Sequence, residues 1–256
     1  MNRIALAILA LAHAPASATA LPLPACAAQV QMTNVHVARV DRDGALVLAH
    51  DVAWLEGIRL VVLDDPSAAI AARTLAEVRR LAMTVPLTLT AAAPLEDRYR
   101  RLRVQAFGTV WLQLALLREG LARVAIAPDR EACAADFFGA EAEARRAKRG
   151  MWAIPRYQVQ KAQSVSVSQA GRFELVEGKI KAVSTHGSRT FLDFDRDYRN
   201  GLSAVIGPGD RRKFRKARLA LKNLTGRDIR IRGIVENFGG RLEIILSSPY
   251  QIELPP

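Results

Sequence analysis

The sequence predicts an α+β chain built as two successive small barrels, the second almost entirely β. Three observations carry this. Short apolar or alternating runs, separated by Gly, Pro and Asp turn signals, fill residues 35–63. Stretches with a 3.6-residue apolar period follow, mixed with further strand-like runs. A polar Ser/Gln-rich stretch then separates these from five more strand-like runs and one basic helix.

In order along the chain, 35–40, 45–49 and 57–63 read as antiparallel strands. Pro66 opens a helix on which Ala71, Leu75, Val78, Leu81 and Ala82 recur at three- and four-residue spacing. Arg73, Glu77, Arg79 and Arg80 face outward from it, and Pro86 ends it. Residues 87–90 and 99–107 read as strands, and 109–119 and 131–149 as helices closed by Gly120 and Gly150. The expected first domain is 30–157, a small five-stranded barrel carrying three helices. The linker is 158–170. Beyond it, 173–183, 190–195, 203–206, 229–235 and 241–246 are strand-like, with a helix over 211–221 between the third and fourth. Five short strands with a helix at that place are the pattern of an OB-fold, expected over 171–254. An SH3-like barrel or a β-sandwich fragment is the alternative.

The 256 residues are 50% hydrophobic and 24% charged, which excludes a low-complexity or disordered chain. Lysine and arginine outnumber aspartate and glutamate 37 to 25, a formal charge of +12. From Lys161 onward the count is 18 to 10, so the last third carries two thirds of the surplus. Such a surplus suits a polyanionic partner: nucleic acid, an anionic membrane face or another acidic polymer.

Residues 1–20, MNRIALAILALAHAPASATA, have the charge, apolar run and small-residue ending of a secretory signal peptide, with cleavage near Ala20. A periplasmic or secreted protein is expected. No later stretch reaches eighteen uncharged apolar residues, so no transmembrane segment is expected. Leu23-Pro24-Ala25-Cys26 faintly resembles a lipoprotein site, against which Pro24 counts. Two cysteines in an oxidising compartment predict one disulfide, Cys26 to Cys133. The histidines are scattered and offer no zinc spacing.

Three stretches bear on chemistry. They are I-R-L-V-V-L-D-D-P over 58–66, D-R-Y-R-R-L over 97–102, and L-R-E-G-L-A-R-V over 117–124 completed by E-A-E-A-R-R-A-K-R-G-M-W over 141–152. Together they resemble the staphylococcal-nuclease-like (thermonuclease) family over about 35–157. The resemblance implies hydrolysis of nucleic-acid phosphodiesters at a calcium site, with two arginines neutralising the phosphate and a glutamate as general base. Guanidinium suits that work because it makes two parallel hydrogen bonds to phosphate and keeps its proton. Arg59 matches the first arginine, Arg101 the second, and Asp64 a metal-binding carboxylate.

The chain also departs from the family. Ser67 stands at the glutamate position and cannot act as a base at neutral pH. The other metal aspartate belongs to a turn written here D-R-D-G-A, over 41–45. Counting back from Arg59 puts Ala45 at that position; anchoring on the turn puts Asp43 there.

The region after the linker resembles the small accessory domain that follows such nuclease domains in some bacterial secreted proteins. Its own residues point to polyanion contact. Arg211, Arg212, Lys213, Arg215, Lys216 and Arg218 put six cations in eight residues, with Phe214 turned inward. Phe191, Phe194 and Tyr198 interleave with Arg189, Arg196 and Arg199, which suits base stacking beside phosphate contacts. The rival account makes these aromatics core and the cations a solvated face.

The function expected is an exported nuclease-like protein that binds DNA or RNA through a degraded hydrolytic site. One alternative is an active calcium-dependent endonuclease using Asp43, Asp64 and Asp65. The other is an envelope module whose basic face meets acidic polymer or lipid headgroups.

Overall fold

A computed structural model describes residues 22–28, 30–128, 130–197 and 201–255. The expected signal peptide and the interleaved Tyr198 and Arg199 lie outside the described residues.

The first domain begins with β1 (Val30–Val35), β2 (Arg39–Val40), β3 (Leu46–Val47), β4 (Val52–Leu55) and β5 (Gly57–Leu60). Helix α1 (Ala69–Met83), β6 (Leu87–Ala91), β7 (Leu102–Phe107), α2 (Leu112–Arg118), β8 (Ala122–Ala125) and α3 (Ala134–Arg146) complete it. Six strands form one sheet in the order β1-β6-β7-β4-β3-β2, with β4 and β7 parallel, and β5 and β8 form a separate ribbon. Helix α1 buries Ile70, Ala71, Thr74, Val78, Leu81 and Ala82; of the stripe that the periodicity outlined, Leu75 is only half-buried. Strands β1, β4 and β8 extend the sequence reading.

Gly120 and Gly150 meet where α2 and α3 end. Both have positive φ, 64° and 53°. A Cβ on Gly120 would lie 2.2 Å from the Arg149 carbonyl oxygen, and one on Gly150 2.3 Å from that of Glu119. Only glycine fits either place, which explains why G closes both the L-R-E-G and K-R-G-M stretches. The Cys26–Cys133 disulfide is formed, with Cα atoms 5.2 Å apart, and ties the N-terminal segment to the start of α3.

The segment read as a linker carries β9 (Gln160–Lys161), which runs parallel to the next strand, and Ala162 is buried in the second core. The second domain then comprises β10 (Phe173–Lys179), β11 (Ala182–His186), β12 (Arg189–Asp193), β13 (Leu202–Ile206), α4 (Arg211–Lys216), β14 (Asp228–Phe238), β15 (Arg241–Ile245) and β16 (Ile252–Glu253). The pairing path β11-β12-β13-β15-β14-β10, with β13 and β15 parallel, returns to its start because β10 runs on into β11. That is the connectivity of an OB-like barrel, with α4 between its third and fourth strands. Phe214 of α4 is fully buried in its core.

The two domains are joined by charge as well as by apolar contact. Phe173 and Leu175 of β10 belong to the first domain's core, whereas the adjacent Val176 belongs to the second. Arg232 of β14 is fully buried; it donates to Glu141 of α3 at 2.8 and 3.1 Å, to the Val124 carbonyl at 2.9 Å, and to Glu253.

Candidate functional site

Strand β5 and the 3-10 turn Val61–Leu63 place Arg59 and Asp64 side by side. Arg59 Nε and Nη2 each lie 2.9 Å from Asp64 Oδ1, and the Asp64 side chain is 6% exposed. A further hydrogen bond reaches the same oxygen from the second domain: the Phe173 backbone N–H donates at 3.2 Å. The Phe173 ring sits 5.8 Å from the Arg59 guanidinium. Across the β5–β8 ladder, Arg59 pairs in register with Arg123. Arg123 is buried and donates to the Tyr157 carbonyl at 2.8 Å and to that of Phe173, with Glu174 at 3.7 Å. Burial pushes the Glu174 carboxyl above its ordinary range, with Arg123 opposing it. The segment Phe173-Glu174 is therefore clamped over the Arg59–Asp64 pair.

Arg101 lies one ring away. Its guanidinium pairs with Asp97 at 2.6 Å and lies over Trp54 at 4.6 Å and Tyr99 at 4.8 Å. Trp54, Arg59 and Phe173 line a cleft of about 440 Å³ between the domains, closed on the far side by Ile234, Glu236 and Gln251. The turn around Arg101 is held by Asp97, whose Oδ1 accepts the Tyr99 and Arg101 backbone N–H groups.

The fold also matches by sequence. Residues 68–154 fit the family model of staphylococcal nuclease homologues. This part of the chain is a staphylococcal-nuclease-like domain. Arg101, Gly120, Glu141 and Gly150 fall within the matched residues, while Arg59, Asp64 and Ser67 precede them. No curated protein matches the chain.

The carboxylates of the nuclease-like domain each have local partners. Asp65 accepts from Tyr157 Oη at 3.0 Å, pairs with Arg156 at 2.5 Å and receives the Ser67 hydroxyl at 3.2 Å. Asp43 closes its own turn by accepting the Ala45 N–H at 3.1 Å, and Ala45 is buried. Among the described residues, the one group of three potential ligands within 4.8 Å is Cys26, Cys133 and Asp136. Its sulfurs are joined to each other, so it offers no thiolate. Calcium takes six to eight oxygen ligands. Here Asp64 Oδ1 already accepts from Arg59 Nε and the Phe173 N–H, and Asp65 Oδ2 is taken up by Arg156 and Tyr157, so few carboxylate oxygens are left for that ion.

In the second domain, Lys213 is paired to Asp210 at 2.9 Å. Arg211, Arg212, Arg215, Lys216 and Arg218 have no ion-pair partner among the described residues, and all but half-buried Arg211 are exposed. Phe194 is core, as the rival account of these aromatics expected. Phe191 is half-buried on the outer face, with Arg189 and Arg241 5.3 and 5.8 Å from its ring. Both arginines are fixed by the buried Glu243, each at 2.7 Å.

Sequence reasoning missed Phe173, Arg123, Glu141 and Arg232. In I-R-I-R-G-I the alternation separates two faces but carries no signal that another domain covers the charged one. Arg123, inside the apolar L-A-R-V run, was the one readable hint of a buried cation.

Proposed function

We propose that the chain is an exported nucleic-acid-binding protein whose nuclease-like domain, 30–157, has given up efficient phosphodiester hydrolysis, and whose basic barrel, 171–254, supplies the phosphate contacts. The observation that carries this reading is the closure of Asp64 by Arg59 and by the Phe173 N–H. A carboxylate so occupied has only its second oxygen left for a hard cation, a poor start for an ion that takes six to eight oxygen ligands. Ser67 at the general-base position supports it further, since losing a general base commonly costs about 10² to 10⁴ in rate. Arg59 and Arg101, the arginines that would face a phosphate, are here engaged by Asp64 and Asp97.

The bound polyanion meets Arg211, Arg212, Arg215, Lys216 and Arg218, which lack partners of their own, and Lys213 where Asp210 releases it. Phosphate contacts of this kind give affinity without base information. The Cys26–Cys133 bond and the apolar leader fit export to the periplasm or beyond.

The test is a gel cast with DNA or RNA and developed with and without calcium, beside a binding titration on the same protein. Binding without clearing is expected, with Ser67→Glu raising the residual hydrolysis. Strong calcium-dependent clearing by the wild type, indifferent to Ser67, would refute the reading and restore the active endonuclease. Binding to anionic vesicles in preference to nucleic acid would favour the envelope module.

A further inference from the structure

Between α4, residues 219–223 and the β11–β12 hairpin runs a groove of about 900 Å³. Arg211, Arg212 and Arg215 project into it from α4 and Lys222 from the opposite lip, and no carboxylate lines it. None of the four has an ion-pair partner among the described residues. The floor is uncharged and includes Thr185 and Thr190, whose hydroxyls lie 3.5 Å apart. Lys216 and Arg218 are not part of the lining.

We infer that this groove is a channel for the sugar-phosphate backbone of single-stranded nucleic acid, an inference that rests on the binding function proposed above. Four cations facing a concave, acid-free trough can surround a flexible chain that lies within it. A duplex carries its phosphates on a rigid convex cylinder and reaches only the outer lip. An uncharged floor with threonine hydroxyls accepts sugars and base edges of any sequence, as a non-specific strand site requires. The inference brings in Lys222, which lies outside the basic run of α4, and leaves Lys213 to its pairing with Asp210.

The experiment uses the full chain, a fluorescent oligothymidine and a duplex of random sequence, each titrated in 50 and 200 mM salt. Each single-strand phosphate contact contributes about −0.7 to the slope of log affinity against log salt, so four contacts give about −2.8, an affinity loss of about 50-fold over that range. In Arg211→Gln/Arg215→Gln/Lys222→Gln one groove contact remains and the groove's share of the loss falls to about threefold. Duplex affinity of that variant is expected to change less than single-strand affinity. A charge-matched control, Arg79→Gln/Arg146→Gln/Lys148→Gln, removes exposed cations far from the groove and keeps the wild-type slope; all variants are first checked for an unchanged melting temperature. Equal flattening in the control, or equal loss for duplex and single strand, would overturn the groove. If the wild type binds neither nucleic acid at 50 mM salt, the proposed function itself fails. Wild-type affinity and slope in the groove variant would overturn the groove and leave that function standing.

Discussion

The backbone N–H of Phe173 donates to Asp64 Oδ1 across 3.2 Å, joining residues 109 positions apart and belonging to different domains. The same carboxyl oxygen holds Arg59, and the Phe173 carbonyl holds Arg123. One residue of the second barrel thus satisfies a carboxylate and a buried cation of the nuclease-like domain. Asp64 is thereby a structural acceptor at the domain seam.

Asp64→Asn should therefore cost stability. Removing one partner of a nearly buried ion pair leaves the other charge uncompensated, at about 3 kcal/mol or more. For a chain of this size that corresponds to a melting temperature lower by roughly 6 to 12 °C. Calorimetry checks it; an unchanged transition would show that the pair contributes nothing to the seam.

The seam should also weaken in acid. Arg232, Arg145 and Arg230 outweigh the burial of Glu253 and hold its carboxyl at about 2, against an ordinary 4.5. A lowered carboxyl stabilises the folded chain above pH 4.5, and that stabilisation is lost as pH falls towards about 2. The span corresponds to about 3 kcal/mol. Glu174 acts in the opposite sense, because burial raises it and its protonation relieves a cost. Urea midpoints measured across this range should fall for the wild type and fall less for Glu253→Gln. Parallel curves would remove Glu253 from the account.

Much of this architecture was legible in the sequence, and the reason is local. The stripe from Ala71 to Ala82 and the glycines that end α2 and α3 each reflect contacts made within one element or its neighbours. Cys26 and Cys133 were readable because their number left a single pairing. The site was legible only as a set of residue types. Arg59 and Asp64 are adjacent, but what covers them comes from Phe173, and no periodicity in one domain encodes the surface of another. Arg232 is hidden for the same reason: nothing in the alternation of β14 tells that Glu141 of the first domain meets it.

The disulfide closes a separation of 107 residues. In the chain-entropy picture its removal should lower stability by about 4 to 5 kcal/mol. Cys26→Ser with Cys133→Ser, compared by denaturant unfolding, should show a midpoint shift of that order. Two freely alkylated thiols in the native protein would show that the bond is not made.

Gly150→Ala should be more harmful than an ordinary surface change. It needs a positive φ of 53° and would bring a methyl group against the Glu119 and Gly120 carbonyl oxygens at 2.3 and 2.4 Å. A loss of more than about 1 kcal/mol is expected from the backbone alone. Gly139→Ala, with nothing within 4 Å of its Cβ, is the control that should be neutral or stabilising. Equal behaviour of the two would mean that the meeting of the α2 and α3 ends is not tight.

The central claim is that this chain holds nucleic acid through its basic barrel without cutting it, because Asp64 is occupied by the seam. It is tested most directly by incubating the wild-type protein with labelled single-stranded DNA across a calcium titration, reading binding and cleavage in one sample. Bound, full-length DNA at every calcium concentration is the expected result. Cleavage that rises with calcium and disappears in Asp64→Asn would contradict it.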